Sequence, residues 1–318
     1  MESLTVSAVN NTVPKNDNGK VYTFRNETGS ALLTEYRVFD GVKLVYRDVH
    51  MRRYTAASAS ERNIIEIDHC REGRFEQRSG KHYYYLSQGD LSVNRSFGGE
   101  AEICFPTGHY HGVSVIIDTT IAEKGMGGLI REFGVDPKAL SSKFLGHSES
   151  FIIRSTERLE HIFSELYTVP ESIRNGYFKV KIIELMLFLS RIDTSSSVPL
   201  KQGCSRTQMQ LAKDVCSFVC ENMGTRFTID QLADQFGVSP TQLKNSFRSV
   251  YGESVYAYVR AQKMRSAAKL LRDTDRTVLD IAGECGYDNG SKFSKAFAEV
   301  MGMTPSEFRR SGAVISEI

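Results

Sequence analysis

The sequence has no tryptophan, only 7 prolines, and 6 cysteines, no two of them in a CxxC pair. Six scattered thiols in a chain of 318 residues do not make a disulfide framework, and a reduced, cytosolic setting is expected. Long apolar runs are missing too. The most apolar stretch, Ile182 to Leu189, is interrupted by Glu184 and falls far short of the roughly 20 residues that span a bilayer. The first twenty residues show no basic region followed by an apolar run, so no secretory signal is expected. There is also no surplus of one charge. Forty basic residues against 38 acidic ones leave a net charge of +2, which by itself does not suggest nucleic-acid binding.

What remains is ordinary globular composition, 41% hydrophobic and 25% charged. At about 150 residues per domain, the length suggests two domains. Residues 1–20 are polar and Asn-rich and read as a flexible arm. From 21 to 122 the pattern is of short strands broken by Gly-containing turns: Ile64 to Arg71, then Tyr83 to Leu86 running into Gln88-Gly89-Asp90, then the β-branched run His111 to Asp118. A small barrel or sandwich is expected there. Residues 123–193 change to helical periodicity, with Leu159, Ile162, Phe163 and Leu166 on one face and a second amphipathic stretch from Phe178 to Ile192. The Ser-rich segment 194–205 has linker composition, and 206–318 reads as helices punctuated by glycine.

The last third contains an internal repeat. Ile229, Leu232, Ala233, Gly237 and Val238 match Val278, Ile281, Ala282, Gly286 and Tyr287 at an offset of 49. Leu243, Phe247 and Val250 match Phe293, Phe297 and Val300 at an offset of 50, so the second copy has one extra residue in its turn. Each copy reads as a helix-turn-helix. The alanine permits close helix approach, the glycine suits a left-handed helix end, and Ser239 or Asp288 can cap the following helix, with Pro240 at its first position. In the first copy Leu243, Phe247 and Val250 face the core, while Thr241, Lys244, Asn245 and Arg248, at i, i+3, i+4 and i+7, form an opposed polar stripe. Such a donor-rich stripe is what a helix presents to base edges in a major groove. The second copy offers Ser291, Ser294 and Lys295 at the equivalent places, with Gly290 and Lys292 beside them. The amphipathic stretch Ser254 to Leu271 between them can hold the two units apart, as major-groove faces about 34 Å from one another require. One Gly-broken helix pair is common in helical bundles and in protein-interaction domains; two copies in register favour DNA.

Residues 207–310 resemble the DNA-binding domain of the AraC/XylS family of bacterial transcription regulators, through LADQFGVSPTQLKNSFRSVYG and VLDIAGECGYDNGSKFSKAFAEVMGMTPSEFRR. The resemblance implies that both second helices enter adjacent major grooves, with Thr241, Gln242, Lys244, Asn245 and Arg248 in one and Gly290, Ser291, Lys292, Ser294 and Lys295 in or near the other. Family members often carry larger polar residues where this chain has Gly290 and Ser291, so its second unit is expected mostly to hold phosphate. Lys263, Arg265 and Arg309 are further phosphate candidates. The strand-rich segment is similar, more weakly, to the cupin-like sensor domains that precede this unit. The stretch 160–193 looks like the connector of the PchR-type, siderophore-responsive branch.

The expected fold is therefore α+β: an N-terminal cupin-like β-barrel sensor, a helical connector and a C-terminal all-α domain with two helix-turn-helix units. Alternation suggests an effector pocket at the barrel mouth. His69 and Arg71 share a face with Ile65 and Ile67, and His109 and His111 share one with Val113, Val115 and Ile117; if those apolar residues line the barrel, the polar ones line its mouth. Rim residues that merely meet solvent would look the same. A metal cupin resembles HxH with a Glu three or four residues on; Val115 and Ile116 stand there, so no metal, cofactor or catalytic residue is expected. Cys70 and Cys104 are the candidates for a redox sensor, whereas Cys216 and Cys220 read as buried thiols.

The expected function is a sequence-specific, effector-controlled DNA-binding transcription regulator, not an enzyme. It is expected in a bacterial cytoplasm, at the nucleoid when bound to DNA, and not at a membrane. A ligand-independent regulator is the alternative. Family resemblance implies a homodimer through the connector and contact with RNA polymerase. The C-terminal part is only mildly basic, with 24 basic against 25 acidic residues up to position 200 and 16 against 13 beyond it. Its affinity is expected to lean on where the cations sit and on base contacts.

Overall fold

A computed structural model of the chain describes residues 13–14, 19–58, 63–79, 82–96, 99–146, 150–194, 203–222, 225 and 227–311. Two compact units divide it, Met1–Gly203 and Cys204–Ile318. The expected arm and linker fall largely outside the described residues.

The first unit contains twelve described strands: β1 (Val13–Pro14), β2 (Gly19–Asn26), β3 (Gly29–Phe39), β4 (Val42–His50), β5 (Arg53–Ser58), β6 (Ile64–Gly73), β7 (Phe75–Ser79), β8 (His82–Leu86), β9 (Leu91–Arg95), β10 (Gly99–Cys104), β11 (Tyr110–Asp118) and β12 (Ser150–Ile153). One antiparallel sheet runs in the order β1-β2-β3-β4-β11-β6-β9-β12, and a second in the order β8-β7-β10-β5. The chain passes from the first sheet to the second between β4 and β5, β6 and β7, and β9 and β10, and returns between β5 and β6, β8 and β9, and β10 and β11. The two sheets enclose a core of Phe24, Val45, Val49, Tyr54, Phe75, Leu86, Phe105 and Tyr110.

Five helices complete this unit: α1 (Thr119–Gly125), α2 (Gly127–Phe133), α3 (Pro137–Leu145), α4 (Glu157–Ser164) and α5 (Arg174–Arg191), with 3-10 turns at Glu165–Thr168 and Glu171–Ile173. Leu140, Phe144, Leu159, Phe163, Phe178, Ile182, Leu185 and Leu189 of these helices form one core with Val42, Leu44, Ile65, Ile67, Val113, Val115 and Ile117 of the large sheet. Each fully buried Leu, Ile or Phe there contributes about 1.5–3 kcal/mol. The segment expected as a separate connector is thus packed onto the sheet, and it also supplies a strand, β12, which pairs with β9.

The second unit is helical: α6 (Arg206–Glu221), α7 (Ile229–Gln235), α8 (Pro240–Tyr251), α9 (Val255–Asp273), α10 (Val278–Glu284), α11 (Gly290–Met301) and α12 (Pro305–Ser311). The long helix α9 serves both repeats. Tyr258, near its start, packs on Phe247 and Tyr251 of α8, with ring centroids 5.7 and 4.7 Å away. Met264, Ala267, Ala268 and Leu271, further along, share a core with Ile281, Ala282, Phe293, Phe297 and Phe308. Nineteen residues at 1.5 Å each make a rod of roughly 28 Å.

Candidate nucleic-acid interface

Both repeats are built alike. The Thr228 hydroxyl and the Gln231 side chain form a reciprocal capping box at the start of α7. Gly237 then turns the chain at φ +64°, and the Val238 N–H donates to the Ala233 carbonyl at 3.0 Å. A Cβ at that φ would be strained, so the turn needs its glycine. Ser239 caps α8 by accepting from the Gln242 N–H at 3.2 Å, with Pro240 at the first position. The second copy repeats this with Thr277 as the cap of α10, Gly286 at φ +78° and a Tyr287 N–H donating to the Ala282 carbonyl at 2.9 Å.

The cap of α11 corrects one expectation. Asn289, not Asp288, accepts from the N–H groups of Ser291 and Lys292, at 2.8 and 3.1 Å. The extra residue of this turn lies before the cap, which moves the capping position to an offset of 50 from Ser239.

Helix α8 buries Leu243, Ser246, Phe247 and Val250 and exposes Thr241, Gln242, Lys244, Asn245 and Arg248. Helix α11 buries Phe293, Ala296 and Phe297; it exposes Ser291, Lys292 and Lys295 and half-exposes Gly290 and Ser294. Among the described residues, no hydrogen bond or ion pair engages the side chains of Lys244, Asn245, Arg248, Lys292 or Lys295. Three arginines elsewhere in the unit are paired: Arg260 with Glu299 at 3.0 Å, Arg276 with Glu284 and Arg272 with Asp273. Arg309 is occupied as well. Its guanidinium donates to the carbonyls of Leu271, at 3.2 Å, and Arg276, which ties α12 to the end of α9. It therefore reads as a helix-terminus clamp instead of the expected phosphate ligand.

In the first unit the premise for the expected pocket is overturned. Ile65, Ile67, Val113, Val115 and Ile117 face the helices, not the space between the sheets. His69 is buried on that helix-covered face, stacked on Phe163, and burial holds its pKa down to about 4. Arg71 lies exposed, its guanidinium 4.6 Å from the Tyr167 ring centre. His109 and His111 are brought together, with ring centroids 5.0 Å apart, at the end of the same face and beside His50, Asp48 and Glu72. The sequence does not bring all four candidates to one place.

The space between the sheets instead holds a polar cluster that alternation missed. Arg47 of β4 reaches Glu66 and Asp68 of β6. Asp68 also accepts from Ser114 Oγ at 2.6 Å and Asn94 Nδ2 at 2.9 Å, and Ser150 donates to Asn94 Oδ1 at 2.6 Å. Arg47 Nε is buried without a partner among the described residues. Burial, reinforced by the neighbouring Asp68 and only partly offset by Arg47, pushes the Glu66 carboxyl up to about 7. Both faces of these strands are buried, so apolar alternation could not say which face looks inward. The available signal was the pair Glu66 and Asp68 at alternate positions between the apolar residues of β6. Cys70 lies at this inner face too, and burial raises its thiol well above the ordinary range, opposite to what a reactive thiolate needs. Cys104 is half-buried, its sulfur 3.7 Å from a Glu102 carboxylate oxygen.

Residues 232–311 match a family model described as a helix-turn-helix domain. The chain is similar to the melibiose operon regulatory protein of Escherichia coli strain K12, 27% identical over 155 residues that cover 46% of this chain and 50% of that protein. It is similar to the HTH-type transcriptional activator AarP of Providencia stuartii, at 28% identity over 36% of this chain and 87% of AarP. The right origin-binding protein of E. coli K12 is 31% identical over 33% of this chain and 36% of its own length. The chain thus spans about half the length of the melibiose regulator and less of the origin-binding protein. With two helix-turn-helix repeats in register and these matches over the same region, the C-terminal unit carries a helix-turn-helix domain similar to those of AraC/XylS-type transcription regulators.

Proposed function

We propose that this chain is a sequence-specific DNA-binding transcription regulator whose first unit binds a small-molecule effector. The observation that carries the reading is the pair of matched helix-turn-helix repeats, each presenting an exposed polar stripe without internal partners. Thr241, Gln242, Lys244, Asn245 and Arg248 read bases in one major groove. Gly290, Ser291, Lys292, Ser294 and Lys295 lie at the next groove, where their small side chains and two lysines favour phosphate contacts over base readout. The test is selection of binding sites from random duplex DNA by the full chain. The expected product is a site with two conserved blocks about one helical turn apart; recovery of unrelated sequences would refute specific recognition.

The effector reading is supported by the polar cluster of Arg47, Glu66 and Asp68 between the sheets, charged groups placed where a polar ligand would be desolvated and oriented. His69, Arg71, His109 and His111 lie outside that space and are not proposed as its lining. A thermal-shift screen with small polar metabolites and iron chelates separates this reading from a ligand-independent regulator. Activation is the proposed sign of regulation, as the name of AarP states for that protein.

A homodimer is proposed through α5. Val180 and Leu187 stand exposed seven residues apart on α5, in line with exposed Ile173 in the 3-10 turn just before it, while the other face of the helix is buried. Contact with RNA polymerase is proposed on the same family grounds, as is a place in the bacterial cytoplasm. No described helix is long and apolar enough to cross a membrane.

A further inference from the structure

Three neighbouring strands of the large sheet bring a mixed set of imidazoles and carboxylates to one end. His111 of β11 stands directly opposite Asp48 of β4 on one side and Glu72 of β6 on the other. His50 and His109 lie one pleat further along the same face. His50 Nε2 and His111 Nδ1 approach Asp48 Oδ1 at 2.8 and 3.4 Å, and His109 Nε2 is 3.5 Å from Glu72 Oε2. The ring centroid of His111 is 5.1 Å from that of His50 and 5.0 Å from that of His109. The ligand atoms of Asp48, His50 and His111 all lie within 4.8 Å of one another, as do those of Glu72, His109 and His111.

Two features set this cluster apart from a solvated rim. Asp48 Oδ1 and His50 Nε2 are shielded from water and close to each other, yet neither makes a hydrogen bond of acceptable geometry with a described residue. They lie 2.8 Å from each other. The second feature is a β-bulge. Cys70 opposes Gly112 and Glu72 opposes His111, so Arg71 is the extra residue. A regular ladder would put the Arg71 guanidinium opposite His111, where it would repel a cation. The bulge brings a carboxylate there and turns Arg71 to the Tyr167 ring.

We propose that Asp48, His50 and His111 bind a divalent first-row transition-metal ion, with Glu72 and His109 beside them to complete or orient the set. A tetrahedral ion with bonds of about 2.0–2.1 Å sets its ligand atoms about 3.3 Å apart, near the spacing observed. Imidazole and carboxylate donors suit Zn²⁺, Co²⁺ or Ni²⁺; Ca²⁺ and Mg²⁺ require more oxygen ligands. The side chains are between one-quarter and one-half exposed, so the ion can enter from solvent. The site lies on the helix-side face of the sheet, away from the polar cluster between the sheets, and does not depend on the DNA-binding reading.

The test uses the full chain, stripped with a chelator and dialysed, then titrated with Co²⁺ while the visible d–d absorption is recorded, and with Zn²⁺ in competition. The expected result is one ion per chain with a tetrahedral or five-coordinate cobalt spectrum. Asp48→Asn, His50→Ala and His111→Asn should each weaken binding roughly tenfold or more. His161→Ala, on the exposed side of α4, should leave it unchanged. Circular dichroism checks each variant's fold, and the near-isosteric Asp48→Asn decides the matter if a histidine variant does not fold. No binding to the stripped chain, or equal binding by the wild type and these variants, would overturn the proposal.

Discussion

The imidazole of His69 on β6 and the ring of Phe163 on α4 stack in parallel, with centroids 4.0 Å apart and 1° between their planes. His69 Nε2 is buried without a hydrogen-bond partner among the described residues, and Nδ1 lies 3.5 Å from the Tyr167 hydroxyl. This contact joins the sheet to the helices, and its burial favours the neutral imidazole.

Stability of the first unit should therefore fall on acidification. Burial holds the folded pKa of His69 at about 4, against 6.5 for the ordinary group, so the unfolded chain takes up the proton first. The stabilisation is complete above pH 6.5 and is lost as pH falls from there through about 4, by a total of roughly 3 kcal/mol. In His69→Leu the thermal midpoint should drop less over this interval than in the wild type. An unchanged acid-induced drop would remove His69 as its cause.

Asn245 and Lys292 should separate base reading from phosphate holding. Asn245→Ala is expected to relax specificity at one or two positions of the selected site, at about 1–3 kcal/mol. Lys292→Ala should weaken binding evenly across sequences and reduce the salt slope by about one. Gel-shift titrations on the selected site and its single-base variants, at several salt concentrations, measure both. If Asn245→Ala lowers affinity equally on all of them, it is a positioning contact.

The two candidate caps of α11 can be told apart by stability. Asn289→Ala removes the acceptor for two backbone N–H groups and should cost about 0.5–2 kcal/mol, whereas Asp288→Ala should cost little. Urea melts of the full chain, followed by circular dichroism at the helical band, give the comparison. A larger loss in Asp288→Ala would show that the cap is misplaced.

The stripe on α5 predicts oligomeric state. Val180 and Leu187 are 61% and 38% exposed, so Val180→Asp with Leu187→Asp should leave the fold intact and give monomer in sedimentation velocity where the wild type is dimeric. A dimer that persists in the double variant would place its interface elsewhere.

The second unit was legible in its residues because everything that specifies it is local. Gly237 and Gly286, the caps and the 3.6-residue spacing of Leu243, Phe247 and Val250 lie within a few residues of one another, and the repeat supplies an internal control. Even there a one-residue insertion hid the cap, since both Asp288 and Asn289 are competent. The first unit was legible only as strands followed by helices. Its strands are buried on both faces, so the pattern of Ile65, Ile67, Val113, Val115 and Ile117 marks an apolar face without saying what covers it.

By itself, then, the sequence determined the α+β order, the two helix-turn-helix repeats and the donors each one presents. Only the tertiary structure decided that Arg47, Glu66 and Asp68 meet between the sheets, that His69 goes under a helix, and that Asp48, His50 and Glu72 gather around His111. Helical units are fixed by neighbours three and four residues apart. Sheet sites are fixed by register between distant strands, where a single bulged residue, Arg71, decides which side chain stands opposite which.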